Sequence, residues 1–125
     1  MSAPRAALDL NRRSSAAVGR LAERVARWDG ARCADSPAGG GEVLRVCAGA
    51  RGRSFARGGT TYGDTYVTGS SPAALAPERL RHELVHREQW RRWGLLLPLL
   101  YALAGRDPAR NRFEVAAGLR DGGYR

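Results

Sequence analysis

Residues 81–90 read Arg-His-Glu-Leu-Val-His-Arg-Glu-Gln-Trp and carry both histidines of the chain. His82 and His86 stand four positions apart, with Glu83 directly after the first. On a helix, side chains at that spacing share one face with Cβ atoms about 5–6 Å apart. Two imidazoles so placed can converge on one zinc ion through bonds of about 2.0–2.1 Å. Glu83 is turned by about 100° from His82 round the helix axis, near the ion without being a ligand. It can take a proton from a zinc-bound water, leave a hydroxide to attack a polarised carbonyl, and return the proton to the leaving nitrogen. The competing reading is a solvated pair of histidines on a charged helix.

A catalytic zinc usually keeps three protein ligands and one open position. There is no third histidine, so the remaining ligand has to be a carboxylate. Glu114, one turn into a later helix and flanked by Phe113 and Ala117, is the candidate. Asp107 precedes a proline, Asp121 falls near the end of the sequence, and Glu88 faces away from the histidines. Asn111-Arg112-Phe113-Glu114 also fits a capping box, in which the glutamate merely satisfies the start of its own helix. On local grounds the two roles for Glu114 are balanced, and the need for a third ligand tips the reading toward coordination.

These residues need a scaffold. Ser14 to Trp28 reads as an amphipathic helix, with Val18, Leu21, Val25 and Trp28 at spacings of three and four. Ser14 or Ser15 can cap it and Asp29-Gly30 can end it. Residues 31–41 read as a loop around Ser-Pro-Ala-Gly-Gly-Gly, and Glu42 to Cys47 as a short strand. Ser54 to Arg57 reads as the start of a second strand. Residues 60–69 alternate Thr, Tyr and Val in strand fashion about Gly63-Asp64, which marks either a hairpin turn or a bulge. Pro77 suits the first turn of a helix that carries the motif to Trp93 and stops at Gly94. A Leu-rich stretch, Leu95 to Ala104, reads as a buried connector, although it could also lie on a membrane surface. Asn111 then caps a last helix to about Asp121. The expectation is a single α+β domain over residues 1–125, with 1–13 as a flexible N-terminal segment.

The chain has 125 residues and a net charge of +9, and every basic residue is arginine. Lysine and isoleucine are absent while Ala, Gly and Arg dominate, the imprint of a genome rich in G and C. The arginines are scattered and accompany no nucleic-acid motif, so no specific nucleic-acid partner is expected. Leu95 to Ala104 is interrupted by Pro98 and falls short of the ~20 apolar residues of a membrane span. The N-terminus lacks the apolar stretch of a secretory signal, which leads to a cytoplasmic expectation. Cys33 and Cys47 could pair only under oxidising conditions; lacking C-x-x-C spacing, they read first as two small buried or half-buried thiols.

Thr61-Tyr62-Gly63, then His82-Glu83-Leu84-Val85-His86 with Gln89, then Glu114 with Ala117, resemble the motifs of small zincin-like proteins of the gluzincin type, such as the minigluzincins. The resemblance covers roughly residues 54–121. It implies a minimal zincin-like domain: an N-terminal backing helix, a small twisted and mostly antiparallel sheet, the motif helix and a C-terminal glutamate helix. It also implies one zinc per chain held by His82, His86 and Glu114, with Glu83 as the base. A peptide or protein substrate would bind along the sheet edge by β-augmentation. Many larger gluzincins place an aspartate four residues after the glutamate ligand to orient a histidine, and here that residue is Gly118. The histidine or tyrosine that stabilises the oxyanion in those enzymes would have to be replaced by Tyr124, Tyr101 or an arginine. The expectation is therefore a zinc-dependent metallopeptidase. Its rivals are a zinc-stabilised, non-catalytic binding module and a basic protein associated with nucleic acid.

Overall fold

Small side chains decide how the first helix packs. The computed structural model describes residues 5–52, 59–119 and 121–122. Helix α1 spans Arg5–Trp28, starting well before Ser14, so the expected capping serines lie inside it. Its buried face is Ser15, Gly19 and Ala26. The apolar stripe expected to pack instead faces outward, with Leu21, Val25 and Trp28 exposed. Both stripes have helical periodicity, and the smaller one wins because it admits the neighbouring backbone. A Cβ added at Gly19 would meet Asp64 N at 3.0 Å.

Four strands form a mixed sheet in the order β1-β2-β4-β3. They are β1 (Arg32–Gly39), β2 (Glu42–Ala48), β3 (Gly59–Tyr62) and β4 (Thr65–Thr68). β1 pairs antiparallel with β2, β2 parallel with β4, and β3 antiparallel with β4. The segment read as a loop is thus mostly an edge strand. Pro37 is compatible with that place, because an edge strand leaves alternate N–H groups unpaired. Ser54 to Arg57, expected to open a strand, lies outside the described residues. Gly63-Asp64 is a hairpin turn. Gly63 takes φ 59°, and a Cβ there would lie 2.1 Å from the Ser15 carbonyl oxygen, so only glycine fits.

Cys33 stands directly opposite Cys47 in the β1–β2 register, and the two form a disulfide. The expectation of separate thiols is corrected here. Its cause is the missed strand: once β1 pairs with β2, the cysteines are cross-strand neighbours.

Alternation along the strands splits the core between two faces. Cys47 and Val67 pack with Ala26 of α1, while Leu44, Val46 and Tyr66 pack with Leu80 of the motif helix. That helix, α2 (Pro77–Trp93), has the limits its Pro and Gly signals predict. Arg87 fastens it to the sheet, donating to the Val43 carbonyl at 2.7 Å and to Glu42 at 3.1 Å. Asp64 joins all three layers. It accepts from Ser15 Oγ at 2.7 Å and from Arg91 of α2 at 3.1 Å.

The Leu-rich stretch is a 3-10 turn, Gly94–Leu96, followed by α3 (Leu97–Ala104). It is not a buried connector. Leu97 is buried, whereas Leu95, Leu96, Leu99 and Leu103 are between 58 and 75 % exposed. The final helix α4 is short, Arg112–Ala117. It stops before the expected Asp121 because Gly118 turns the chain out of the helix at φ 96°. The architecture is α+β with a four-stranded mixed sheet. None of the described helices is long and apolar enough to cross a membrane.

Candidate metal centre

Helix periodicity sets His82 and His86 one turn apart on α2, and a latch brings Glu114 to them. Asn111 is buried and accepts from Phe113 N at 2.9 Å, capping α4. Its amide nitrogen donates to the carbonyls of Gly105 at 2.9 Å and Tyr101 at 3.2 Å, tying the end of α3 to the start of α4. The Asn111 N–H goes to the Asp107 carbonyl at 2.9 Å. Glu114 is therefore not the return arm of a capping box. Its carboxylate is buried and points at the histidines.

The resulting triangle is tight. His86 Nε2 lies 3.1 Å from His82 Nε2 and 3.0 Å from Glu114 Oε1, and His82 Nε2 lies 3.2 Å from the same oxygen. Four ligands at about 2.0–2.1 Å round a tetrahedral metal are about 3.3–3.4 Å apart. The three atoms can hold a metal ion with little adjustment.

The far sides of the rings fix which nitrogen carries hydrogen. His82 Nδ1 is 2.7 Å from the Gly118 carbonyl oxygen, which can only accept, so Nδ1–H donates there. Gln89 donates its amide N–H to the Phe113 carbonyl at 3.0 Å, which turns its oxygen toward His86 Nδ1 at 2.8 Å. Both Nε2 lone pairs then face each other and a carboxylate. Three converging acceptors repel unless a cation sits among them, either a proton or a metal. Burial alone would lower the His86 pKa, but its hydrogen bond to Glu114 and the charges of Glu83 and Glu114 raise it overall. Burial alone would raise the pKa of Glu114, yet hydrogen bonds from His82, His86 and Tyr101 hold it far below the usual carboxylate range.

Glu83 is buried beside this triangle and is not one of its corners. Burial raises its pKa, outweighing the opposing charges of His86, Arg79 and His82. Its Oε2 has no hydrogen-bond partner among the described residues, and the nearest cation is Arg79 Nε at 3.7 Å. A carboxylate kept dry and incompletely paired is a ready proton acceptor.

A cleft of about 440 Å³ opens onto the triangle. Its walls are β3, α2 and α3, and His82, Glu83, His86 and Glu114 all line it. Tyr101 also lines it, and its hydroxyl donates to the second Glu114 oxygen, Oε2. Tyr124 lies outside the described residues. Arg79 donates to the carbonyls of Gly122 at 2.9 Å and Gly59 at 3.5 Å, so its guanidinium is engaged with the chain around the cleft. Comparison with known protein families, curated proteins and solved structures finds no match.

Three contributors were not visible as site residues in the sequence. Gly118 offers a carbonyl where an aspartate side chain was sought. A Cβ added at Gly122 would fall 2.4 Å from the His82 ring, so the glycine lets the chain close on the imidazole. Asn111 was read only as a cap. The one sequence signal for the two glycines is their density after Ala117.

Proposed function

We propose that the chain is a zinc-dependent metallopeptidase with one zinc per chain, held by His82, His86 and Glu114. The observation that carries this reading is the convergence of three lone pairs 3.0–3.2 Å apart, with a buried, incompletely paired carboxylate beside them. Two neutral imidazoles and a carboxylate would suit zinc, a donor set that in catalytic sites keeps one position open for water or substrate. When bound, the ion supplies Lewis acidity, lowering the pKa of water and polarising a carbonyl. Glu83 takes the proton of the attacking water and passes it to the leaving amine nitrogen. Tyr101 and Gln89 hold the ligands in place. The order of helix, sheet, motif helix and glutamate helix supports a minimal zincin-like arrangement. β3 is an edge strand along one wall of the cleft, the place for an extended peptide or protein substrate.

One observation favours the second reading, a zinc-stabilised binding module without turnover. Thr61 O already accepts from the Trp90 indole at 3.0 Å and Gly59 O from Arg79, so part of the β3 edge is occupied. The location also stays a proposal. The Cys33–Cys47 disulfide fits an oxidising setting, which weighs against a cytoplasmic home.

The test couples zinc analysis to a peptide-library digest read by mass spectrometry. Wild type should carry one zinc and cut; Glu83→Gln should keep the zinc and lose turnover. Zinc without cleavage in the wild type selects the binding module. Full cleavage by Glu83→Gln removes Glu83 as the base.

A further inference from the structure

Leu95, Leu96, Leu99 and Leu103 stand 68, 58, 58 and 75 % exposed. They extend from the turn before α3 along its outward face, while Leu97 points inward. Adjacent exposed leucines of this kind mark an interaction surface. The charge of the chain on either side of them narrows the occupant. Residues 91–112 contain Arg92, Arg106, Arg110 and Arg112, besides Arg91 already engaged with Asp64, against a single acid, Asp107, which lies 3.9 Å from Arg110. Arg92, Arg106, Arg110 and Arg112 are exposed. Trp93, half-buried at the end of α2 with Arg92 stacked 5.3 Å above its ring, adds an aromatic of the kind that favours a lipid–water boundary.

We infer that α3 docks the protein on an anionic membrane surface, its leucines entering the headgroup boundary and the bracketing arginines pairing with acidic lipid. Apolar burial and lipid charge together give reversible binding of a helix lying in the interface. A protein partner would need acids matched to each arginine, whereas a sheet of acidic headgroups meets them wherever they point. The inference does not depend on the peptidase reading.

The experiment is flotation with vesicles of phosphatidylcholine alone or mixed with phosphatidylserine. Wild type should float with the mixed vesicles and weakly with the neutral ones. Leu96→Ser/Leu99→Ser/Leu103→Ser should weaken binding to mixed vesicles by about tenfold or more. Arg106→Gln/Arg110→Gln/Arg112→Gln should remove most of the preference for phosphatidylserine. Unchanged circular dichroism in both variants shows that folding is not the cause. A control on the exposed face of α1, Leu21→Ser/Val25→Ser, should bind like wild type.

Equal binding by wild type and the leucine variant overturns the proposal, since net charge alone would then explain it. Loss confined to the α1 control overturns it as well. So does a wild-type dimer that ignores vesicles and that the leucine substitutions dissociate, which would assign the face to a second copy.

Discussion

Two clusters of potential ligands sit among the described residues: His82, His86 and Glu114 at the cleft, and Glu23, Cys33 and Cys47 between α1 and the sheet. Both bring three donor atoms within 4.8 Å of one another. In the second, each donor is already spent. The sulfurs are bonded to each other, and Glu23 takes a hydrogen bond from Arg45 at 2.6 Å with Arg27 at 3.6 Å. In the first, the partners lie behind the ligands, on Nδ1 of each ring and on the far oxygen of Glu114. Proximity is common to both, and direction separates them. A cluster becomes a metal centre when its neighbours push lone pairs inward instead of consuming them.

The sharpest way to break this contrast is to remove a ligand. Structural zinc sites bind with about 10–16 kcal/mol, so losing one of the ligands should cost roughly a hundred- to a thousandfold in affinity. His86→Ala and Glu114→Ala should therefore fail to retain zinc against a competing chelator dye, while Glu23→Ala should retain it fully. Equal loss in all three would mean that the clusters do not differ. Next in size is the disulfide, which closes a loop with a sequence separation of 14. Cys33→Ser/Cys47→Ser should lower the unfolding free energy in urea by about 2–3 kcal/mol. The same double variant should leave zinc stoichiometry untouched, which assigns that cluster to stability alone.

A comparable cost, about 2–3 kcal/mol, follows from Asn111→Ala, which removes a helix cap and two buried hydrogen bonds. That change should weaken zinc retention as well, since Asn111 fixes the start of α4 and with it Glu114. A stability loss with no effect on zinc would show that α4 is positioned by packing instead. The smallest effect is expected at Gln89. Groups that orient a metal-bound histidine are typically worth about 10–100-fold in affinity. Gln89→Ala should fall in that range by the same competition assay, with Gln89→Glu recovering part of it through its carboxylate oxygen.

The motif helix was the most legible part of the sequence. Pro77 and Gly94 gave its ends, and the four-residue spacing gave the shared face of the histidines. Glu114 was legible as a candidate only, because Asn111-x-x-Glu114 serves a cap and a ligand equally well until long-range packing decides. The remaining misses share a cause. β1 was hidden by Pro37 and by glycine, residues that a strand interior rejects but an edge tolerates. α1 carries two stripes of the same period, and size complementarity to the β3–β4 turn selected Ser15 and Gly19 over Leu21 and Val25. Periodicity reports which residues share a face; it does not report which face the rest of the chain can approach. The leucines before and along α3 were read as interior on hydrophobicity alone, and there too geometry overruled composition.

The support behind His82 comes from the carbonyl of Gly118, held by a backbone angle of 96°. No codon spells that group, since every residue carries one. Chemical information that other proteins write in a side chain is stored here as the shape of a bend. Substitution at Gly118 cannot delete the acceptor; it can only move it. An alanine scan would thus report strain at this position and remain blind to its role, and a search for a supporting acid would find an apparent gap where the support is already present.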